Sequence, residues 1–241
     1  CFMIMRNPVR WRWSHARHHT DTVIVGRDPE IAVMRPPDLV LVILNFFALV
    51  DTPLALLEMV RNALGQVNAA DRSFIPASEL PRMVLVARIW VAIYAATIAL
   101  AIVLHSWIPV LLVGTPRLFG SWHYVLTGLL QHGGLAEDVT DHRLNSRTVY
   151  MNPISRFIYW NMNYHVEHHM FPMVPYHALP RLHELIKHDL PAPNPSIADG
   201  YREILAAFRR QLRWEDYYVH RELPATARPY RSELHNLDIG G

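Results

Sequence analysis

The chain has 241 residues, of which 51% are hydrophobic and 18% are charged, and its formal net charge is +2. This composition excludes an intrinsically disordered protein, and we expect no nucleic-acid partner. The single cysteine, Cys1, excludes an internal disulfide, a CxxC pair and a cysteine-held iron–sulfur cluster. The compositional anomaly is histidine, with 15 residues.

The first group of histidines stands near the start of the chain, in SHARHHT. His15, His18 and His19 have the spacing i, i+3, i+4. In a helix these positions fall on one face, so the three imidazoles project together. The chain does not begin with Met, and we expect an N-terminally truncated fragment.

Three apolar segments come next. The run Leu39–Val50 is short for a membrane span, so an interfacial helix is predicted near 39–57. The segment near 84–104 is long and apolar enough to cross a bilayer as a helix. The segment near 107–130 is predicted to be a second, kinked span, because Gly, Pro and Arg interrupt it at 114–117.

A second group of histidines follows the spans, in NYHVEHHMFP. His165, His168 and His169 repeat the spacing of the first group. If both groups serve one site, the chain between them must cross the membrane an even number of times. Arginines flank both groups and are absent from the turn of the hairpin, which places both groups on the cytoplasmic side.

These elements predict an all-α protein. It would be an integral-membrane helical hairpin with a cytoplasmic helical cap that carries the histidines, located in the cytoplasmic (inner) membrane as a multi-pass protein. Residues 1–190 would form the main domain. Residues 191–241 would form a cytoplasmic C-terminal tail, in which IADGYREILAAFRRQLRW is predicted to be an amphipathic helix with a basic face.

The repeated HxxHH pattern indicates a metal site. Neutral imidazole is a good ligand for iron, zinc and copper. A single HxxHH is as readily a polar helix face. Two copies on the same side of a membrane hairpin favour a shared metal centre.

HARHH and HVEHH resemble the second and third histidine boxes of the membrane fatty acid desaturase and hydroxylase superfamily. The stretch TDTVIVGRDPE is similar to the segment that follows the second box. NYHVEHHMFPMVPYHALPRLHELI is close to the third-box pattern NYHxEHHLFPxxPxxxLPxLH, and the resemblance covers nearly all of residues 6–190. It implies two non-haem iron ions, dioxygen as co-substrate, and desaturation or hydroxylation of an unactivated C–H position of a membrane lipid or lipid-like substrate. It also implies an external electron donor of ferredoxin or cytochrome type.

The resemblance assigns metal ligation to the histidines of both boxes and to one more histidine between them. His132, in LLQHGGLAEDVTDHR, stands in a setting similar to that of an additional ligand in related alkane hydroxylases and many desaturases. The predicted ligands are His15, His18, His19, His132, His165, His168 and His169. The first box of the family, HxxxH or HxxxxH, does not precede His15, and truncation is the expected reason.

Other polar residues are candidates for supporting roles. Asp138, Asp141 and His142 would orient ligating imidazoles, with an ordinary cytoplasmic turn as the alternative. The amides of Asn161 and Asn163 would hydrogen-bond a bound water or ligand. Histidines in or beside the helix after the third box are predicted to lie on the surface: His177, His183 and His188.

Two alternatives stay open from the sequence. One is a histidine-rich zinc-binding or metal-transport membrane protein, although transporters usually hold metal near the bilayer midplane. The other is a hydroxylase of a small non-lipid substrate, because QHGGLAEDVTDHRLNSRT resembles a bacterial branch that includes a hydroxylase-like protein of rhizopine catabolism. Arg202, Arg209, Arg210 and Arg213 could attract an acidic electron donor or anionic lipid.

Overall fold

The computed structural model describes residues 1–31 and 35–230, and the regular secondary structure in these ranges is helical. The α-helices are α1 (Pro8–Thr20), α2 (Leu39–Asn45), α3 (Asp51–Ala63), α4 (Ala69–Arg72), α5 (Leu80–Val103), α6 (Ile108–His132), α7 (His142–Asn145), α8 (Pro153–Ile158), α9 (His165–Met170), α10 (Leu179–Ile186) and α11 (Ile197–Gln211). Short 3₁₀ helices occupy Phe2–Ile4, Ala77–Glu79, Tyr176–Ala178 and Lys187–Asp189. Isolated β-bridges join Thr148 to Tyr164 and Val149 to Asn194. The predicted all-α class is confirmed for the described residues.

The chain forms two compact units. Unit 1 comprises Cys1–Arg17 and Asp38–Val125, and unit 2 comprises His18–Pro37 and Leu126–Gly241. Helices α1 and α6 each contribute residues to both units.

Unit 1 contains the helix with the composition of a membrane span. Among the described residues, Ala77–Val103 is long and apolar enough to cross a membrane, and most of it is exposed. Its α-helical part begins at Leu80, earlier than the predicted 84, because Pro81 lies in the first turn, where its missing N–H costs no hydrogen bond. The second predicted span is also helical, as α6, and the helix continues through Pro116.

The segment near 39–57, for which one interfacial helix is predicted, contains two helices. α2 ends at Asn45 and α3 begins at Asp51. Pro53 is tolerated in the first turn of α3, since that turn needs no N–H donor. α3 packs along α5, and Arg88 of α5 donates from Nε to the carbonyl of Ala63 at the end of α3, 2.8 Å away.

Unit 2 is built around the C-terminal end of α6. Leu130 of α6, Val149 and Ile204 of α11 form its buried apolar core. α11 comes very close to α6 at Gly200, where an added Cβ would lie 2.9 Å from Leu130 Cδ2. The predicted amphipathic helix is therefore present, and its buried face holds it against the end of α6.

A buried arginine connects the end of α6 to α11 by hydrogen bonds. Arg147 is 2% exposed and donates to the carbonyls of Leu130 and Gly133 and to the carboxylate of Glu203 on α11. Burial lowers the pKa of Arg147 to about 10, which still leaves the guanidinium charged at neutral pH. Its partners satisfy a charge that would otherwise be costly to bury.

Candidate metal centre

Four imidazoles converge in the interior of unit 2. We call them the four-histidine cluster: His18 of α1, His132 at the end of α6, and His165 and His169 of α9. One ring nitrogen from each lies within 4.8 Å of the others, and none of the four residues is more than 6% exposed. Of the predicted ligands, these four are brought together.

Local structure explains how three segments direct their imidazoles to one point. His165 and His169 are four residues apart on α9 and share one face of the helix. α6 ends at His132 because Gly134 follows in the left-handed conformation, with φ at 73°. His132 therefore leaves the last helical turn with its ring in the core, where its centroid lies 4.7 Å from that of His165.

The distances between ring nitrogens fit metal ligation. The Nε2 atom of His165 lies 2.9 Å from that of His132 and 3.0 Å from that of His169. Nitrogens this close together could ligate one ion at metal–nitrogen bonds of about 2.1 Å.

The hydrogen bonds on the far side of the rings fix where the protons are. His132 Nδ1 lies 2.9 Å from the carbonyl oxygen of Asn145, and His18 Nδ1 lies 2.8 Å from the carboxylate of Asp28. A carbonyl and a carboxylate only accept hydrogen bonds. Both Nδ1 atoms therefore carry a proton, and both rings direct Nε2 into the cluster.

His169 is oriented in the same way by a threonine. Thr22 donates its hydroxyl proton to the carbonyl of His18, 2.6 Å away. With that proton used, Thr22 Oγ1 accepts from His169 Nδ1 at 3.0 Å. His169 thus also turns an unprotonated Nε2 into the cluster.

Burial favours the neutral form at three of the four imidazoles. Burial, with the neighbouring imidazoles, lowers the pKa of His132, His165 and His169 well below the ordinary histidine value, so these rings are neutral at physiological pH. A proton on His165 Nε2 could satisfy only one of its two close nitrogen contacts. A cation at the centre satisfies all of them, and neutral imidazole is the ligand that iron and zinc accept.

A second pair of imidazoles lies beside the cluster. The Nε2 atoms of His19 and His168 are 3.1 Å apart, and both residues are half-buried. The His19 ring lies 4.4 Å from the ring of His169, so the pair and the cluster are neighbours. His15 belongs to unit 1 and stands on α1 one turn before His19.

Asp28 is a supporting residue that the sequence analysis did not single out. Its side chain is completely buried, and besides His18 it accepts from the backbone N–H groups of Val23, Glu30 and Ile31. Asp28 lies in the stretch TDTVIVGRDPE. The resemblance of this stretch to the family's segment after the second box is the sequence feature that could have identified Asp28.

The predicted supporting residues have different partners in the structure. Asp138 is exposed and accepts from the backbone N–H of Val25, and Asp141 caps α7 and pairs with Arg143. Their carboxylates have these partners, whereas the carboxylate of Asp28 contacts an imidazole of the cluster. An orienting role for Asp138 or Asp141 stays a prediction. His142 is buried with its ring 5.2 Å from that of His169, and its supporting role stays a prediction.

The two predicted amides also differ. Asn161 donates to the carbonyl of Tyr176 at 3.2 Å and is only partly buried. Asn163 is buried and donates from Nδ2 to the carbonyl of Val149, while its Oδ1 has no hydrogen-bond partner among the described residues. Binding of a water or ligand by either amide stays a prediction.

The surface position predicted for His183 is wrong, although His177 and His188 are exposed. His183 is 2% exposed and its Nδ1 contacts the carboxylate of Glu167, which is fully buried in α9. Thr148 donates to the same carboxylate at 2.6 Å, and the Tyr150 hydroxyl lies 3.0 Å from His183 Nε2. Because Glu167 lies between the box histidines in sequence, this network fixes the face of α9 opposite His165 and His169.

Comparison with known proteins agrees with the residues assembled here. The sequence profile of the family described as "Fatty acid desaturase" matches residues 1–201. No curated protein and no solved structure matches the chain significantly. Since the profile covers most of the chain, including every predicted metal ligand, the chain belongs to the fatty acid desaturase family.

Proposed function

We propose that the protein is a membrane-bound oxidoreductase that uses two iron ions and dioxygen to desaturate or hydroxylate an unactivated C–H position of a lipid or lipid-like substrate. The observation that carries the proposal is the convergence of four buried imidazole nitrogens in the four-histidine cluster. Family membership supports the reaction class, and the apolar helix Ala77–Val103 supports a membrane location.

The four-histidine cluster would hold one ion. His19 and His168 would contribute to a second, and His15 stays a predicted ligand of that ion from the HxxHH pattern. When bound, two ferrous ions would supply the dioxygen chemistry that oxidises a C–H bond. Dioxygen would receive two electrons from the substrate and two from the external donor. The predicted ligands are all histidines, with no carboxylate among them. No negatively charged ligand would therefore offset the positive charge of the two ions.

The chain's own residues position the ligands and keep the site dry. Asp28, Thr22 and the Asn145 carbonyl hold three rings by their Nδ1 protons, so each Nε2 is aimed before a metal arrives. The ligands of the cluster are almost inaccessible to solvent. Exclusion of water would protect a reactive centre from side reactions.

Electrons would come from a ferredoxin-type or cytochrome donor. The exposed arginines on and just beyond α11 offer a basic surface for an acidic donor: Arg202, Arg209, Arg210 and Arg213. The histidines would face the cytoplasm from the inner membrane, with α5 and α6 as the hairpin. Turnover that does not fall as ionic strength rises would count against electrostatic docking of the donor.

Metal and oxygen measurements on the full-length protein test the proposal. After anaerobic loading with ferrous iron in detergent, we expect about two irons per chain and consumption of dioxygen once a reductant and a lipid substrate are added. His169→Ala should lose iron, while His188→Ala, which changes an exposed histidine, should keep it. Stoichiometric zinc in the protein as isolated, with no dioxygen consumption after iron loading, would refute the proposal in favour of a zinc protein.

A further inference from the structure

Helix α8 of unit 2 exposes a row of large apolar side chains. Ile154, Phe157 and Ile158 have the spacing i, i+3, i+4, which places them on one face. They are 72%, 83% and 56% exposed. Soluble surfaces seldom carry contiguous apolar residues at this density, so the face is expected to be covered by something.

Two aromatic residues extend this face beyond the helix. Trp160 and Asn161 adopt left-handed conformations that end α8 and turn the Trp160 ring outward, where it is 61% exposed. The ring lies 4.8 Å from that of Tyr176, and Asn161 donates to the Tyr176 carbonyl. We call Ile154, Phe157, Ile158, Trp160 and Tyr176 the α8 face.

The level of the α8 face along α6 is fixed by hydrogen bonds. Tyr159, which follows α8, donates to the carbonyl of Thr127 at 3.3 Å and accepts from Gln131 at 2.6 Å. Both partners lie in the last turns of α6, where its apolar sequence gives way to His132. The α8 face is therefore held beside the last turns of α6, next to the point in the sequence where the predicted span near 107–130 ends.

The aromatic residues of the α8 face suit a lipid surface. Arg156 lies on the other side of α8, and its Nε is buried. Tryptophan and tyrosine are enriched where membrane meets water, since each combines an apolar ring with a polar group.

We propose that the α8 face lies in the membrane interface and seats unit 2, with the four-histidine cluster, on the bilayer. The proposal rests on the membrane location given under Proposed function. It assigns to the lipid surface a face that comes mostly from the segment between His132 and the third histidine box, with Tyr176 after that box, and that lies outside either apolar span. In this position the metal centre would lie close to the bilayer, from which a lipid chain would enter the site.

Spin labels test this placement in the full chain. In a Cys1→Ser background, single cysteines replace Phe157 on the α8 face, Glu184 on exposed α10, and Ile102 on exposed α5. The labelled proteins are placed in phosphatidylcholine–phosphatidylglycerol vesicles. Collision with oxygen, which concentrates in lipid, is compared with collision with a water-soluble nickel chelate. All three positions are exposed, so the labels should not disturb packing.

We expect the oxygen-to-nickel ratio at Phe157 to exceed that at Glu184 several-fold and to approach that at Ile102. A ratio at Phe157 equal to that at Glu184, with Ile102 still in lipid, would overturn the α8 proposal and leave the membrane location standing. Low collision with both reagents at Phe157 would also overturn it, because the face would then be covered by protein. A low ratio at Ile102 would overturn the membrane location itself.

Discussion

Replacing Asp28 with asparagine tests whether the hydrogen bonds behind the rings prepare the metal site. The substitution preserves size but removes the charge and one acceptor atom. Oδ2 accepts from His18 Nδ1 and Val23 N, each at 2.8 Å, and Oδ1 accepts from Glu30 N and Ile31 N at 2.8 and 3.2 Å. The amide NH₂ must face one of these pairs of donors, so two hydrogen bonds are lost in either orientation.

The structure sets the size of both expected effects. A hydrogen bond to a charged group contributes about 1.5–3 kcal/mol, so losing two would cost up to about 3–6 kcal/mol of stability. Removing a group that orients a ligating histidine typically weakens metal binding by about 10–100-fold. That loss of affinity corresponds to about 1.4–2.7 kcal/mol.

The assay measures metal affinity and unfolding separately. Ferrous or cobaltous ion is titrated against a chelator of known affinity, and thermal unfolding in detergent is followed by circular dichroism. Asp138→Asn is the matched control, because that exposed carboxylate also accepts one backbone N–H but does not reach the imidazoles. If Asp28→Asn binds metal as tightly as the unmodified chain, or if Asp138→Asn weakens binding equally, the orienting role of Asp28 is refuted.

Three further predictions concern ligation, burial and pH. His168→Ala should abolish turnover while helix content is unchanged, and retained turnover would refute its assignment as a ligand. Arg147→Met should lower stability by about 1–3 kcal/mol, because the buried carbonyls of Leu130 and Gly133 lose their donor while Glu203 keeps Arg221. Exposed Arg202→Met should change it by less than about 0.5 kcal/mol, and equal effects would contradict the buried network. In the metal-free protein, three histidines of the cluster have a lower pKa in the folded state than in the unfolded state. As pH falls, the unfolded chain therefore binds protons before the folded chain does. Stability should therefore decrease below the unfolded value of 6.5, by up to about 4 kcal/mol per pH unit for three sites. A flat profile from pH 7 to 5 in chemical unfolding would contradict neutral rings.

The helices and the histidine groups could be predicted because their signals are local. An apolar run predicts α5 from composition alone, and the HxxHH spacing places three rings on one helix face without reference to the rest of the chain. The break between α2 and α3 was missed because the apolar run continues to Val50. Only the turn itself, with Ala48 in a left-handed conformation, separates the two helices.

The supporting residues could not be predicted as well, because their partners are set by tertiary packing. Asp138 and Asp141 were plausible from their position near His132, yet backbone turns and Arg143 take up their carboxylates. His183 has the sequence surroundings of a surface histidine. It is buried because Glu167 points to the opposite side of α9 from the ligands and needs a partner there.

The orientation of the site is therefore specified outside the histidine boxes. The boxes supply nitrogens, but a histidine can bind metal through either ring nitrogen, and the hydrogen bond on the other side decides which one faces the ion. Here those acceptors come from the segment after the first HxxHH, through Thr22 and Asp28, and from α7, through the Asn145 carbonyl. Both segments belong to unit 2, together with the cluster they orient. Transplanting the boxes alone would carry the ligands without the contacts that turn each Nε2 inward, so a transferable site must include these connecting segments.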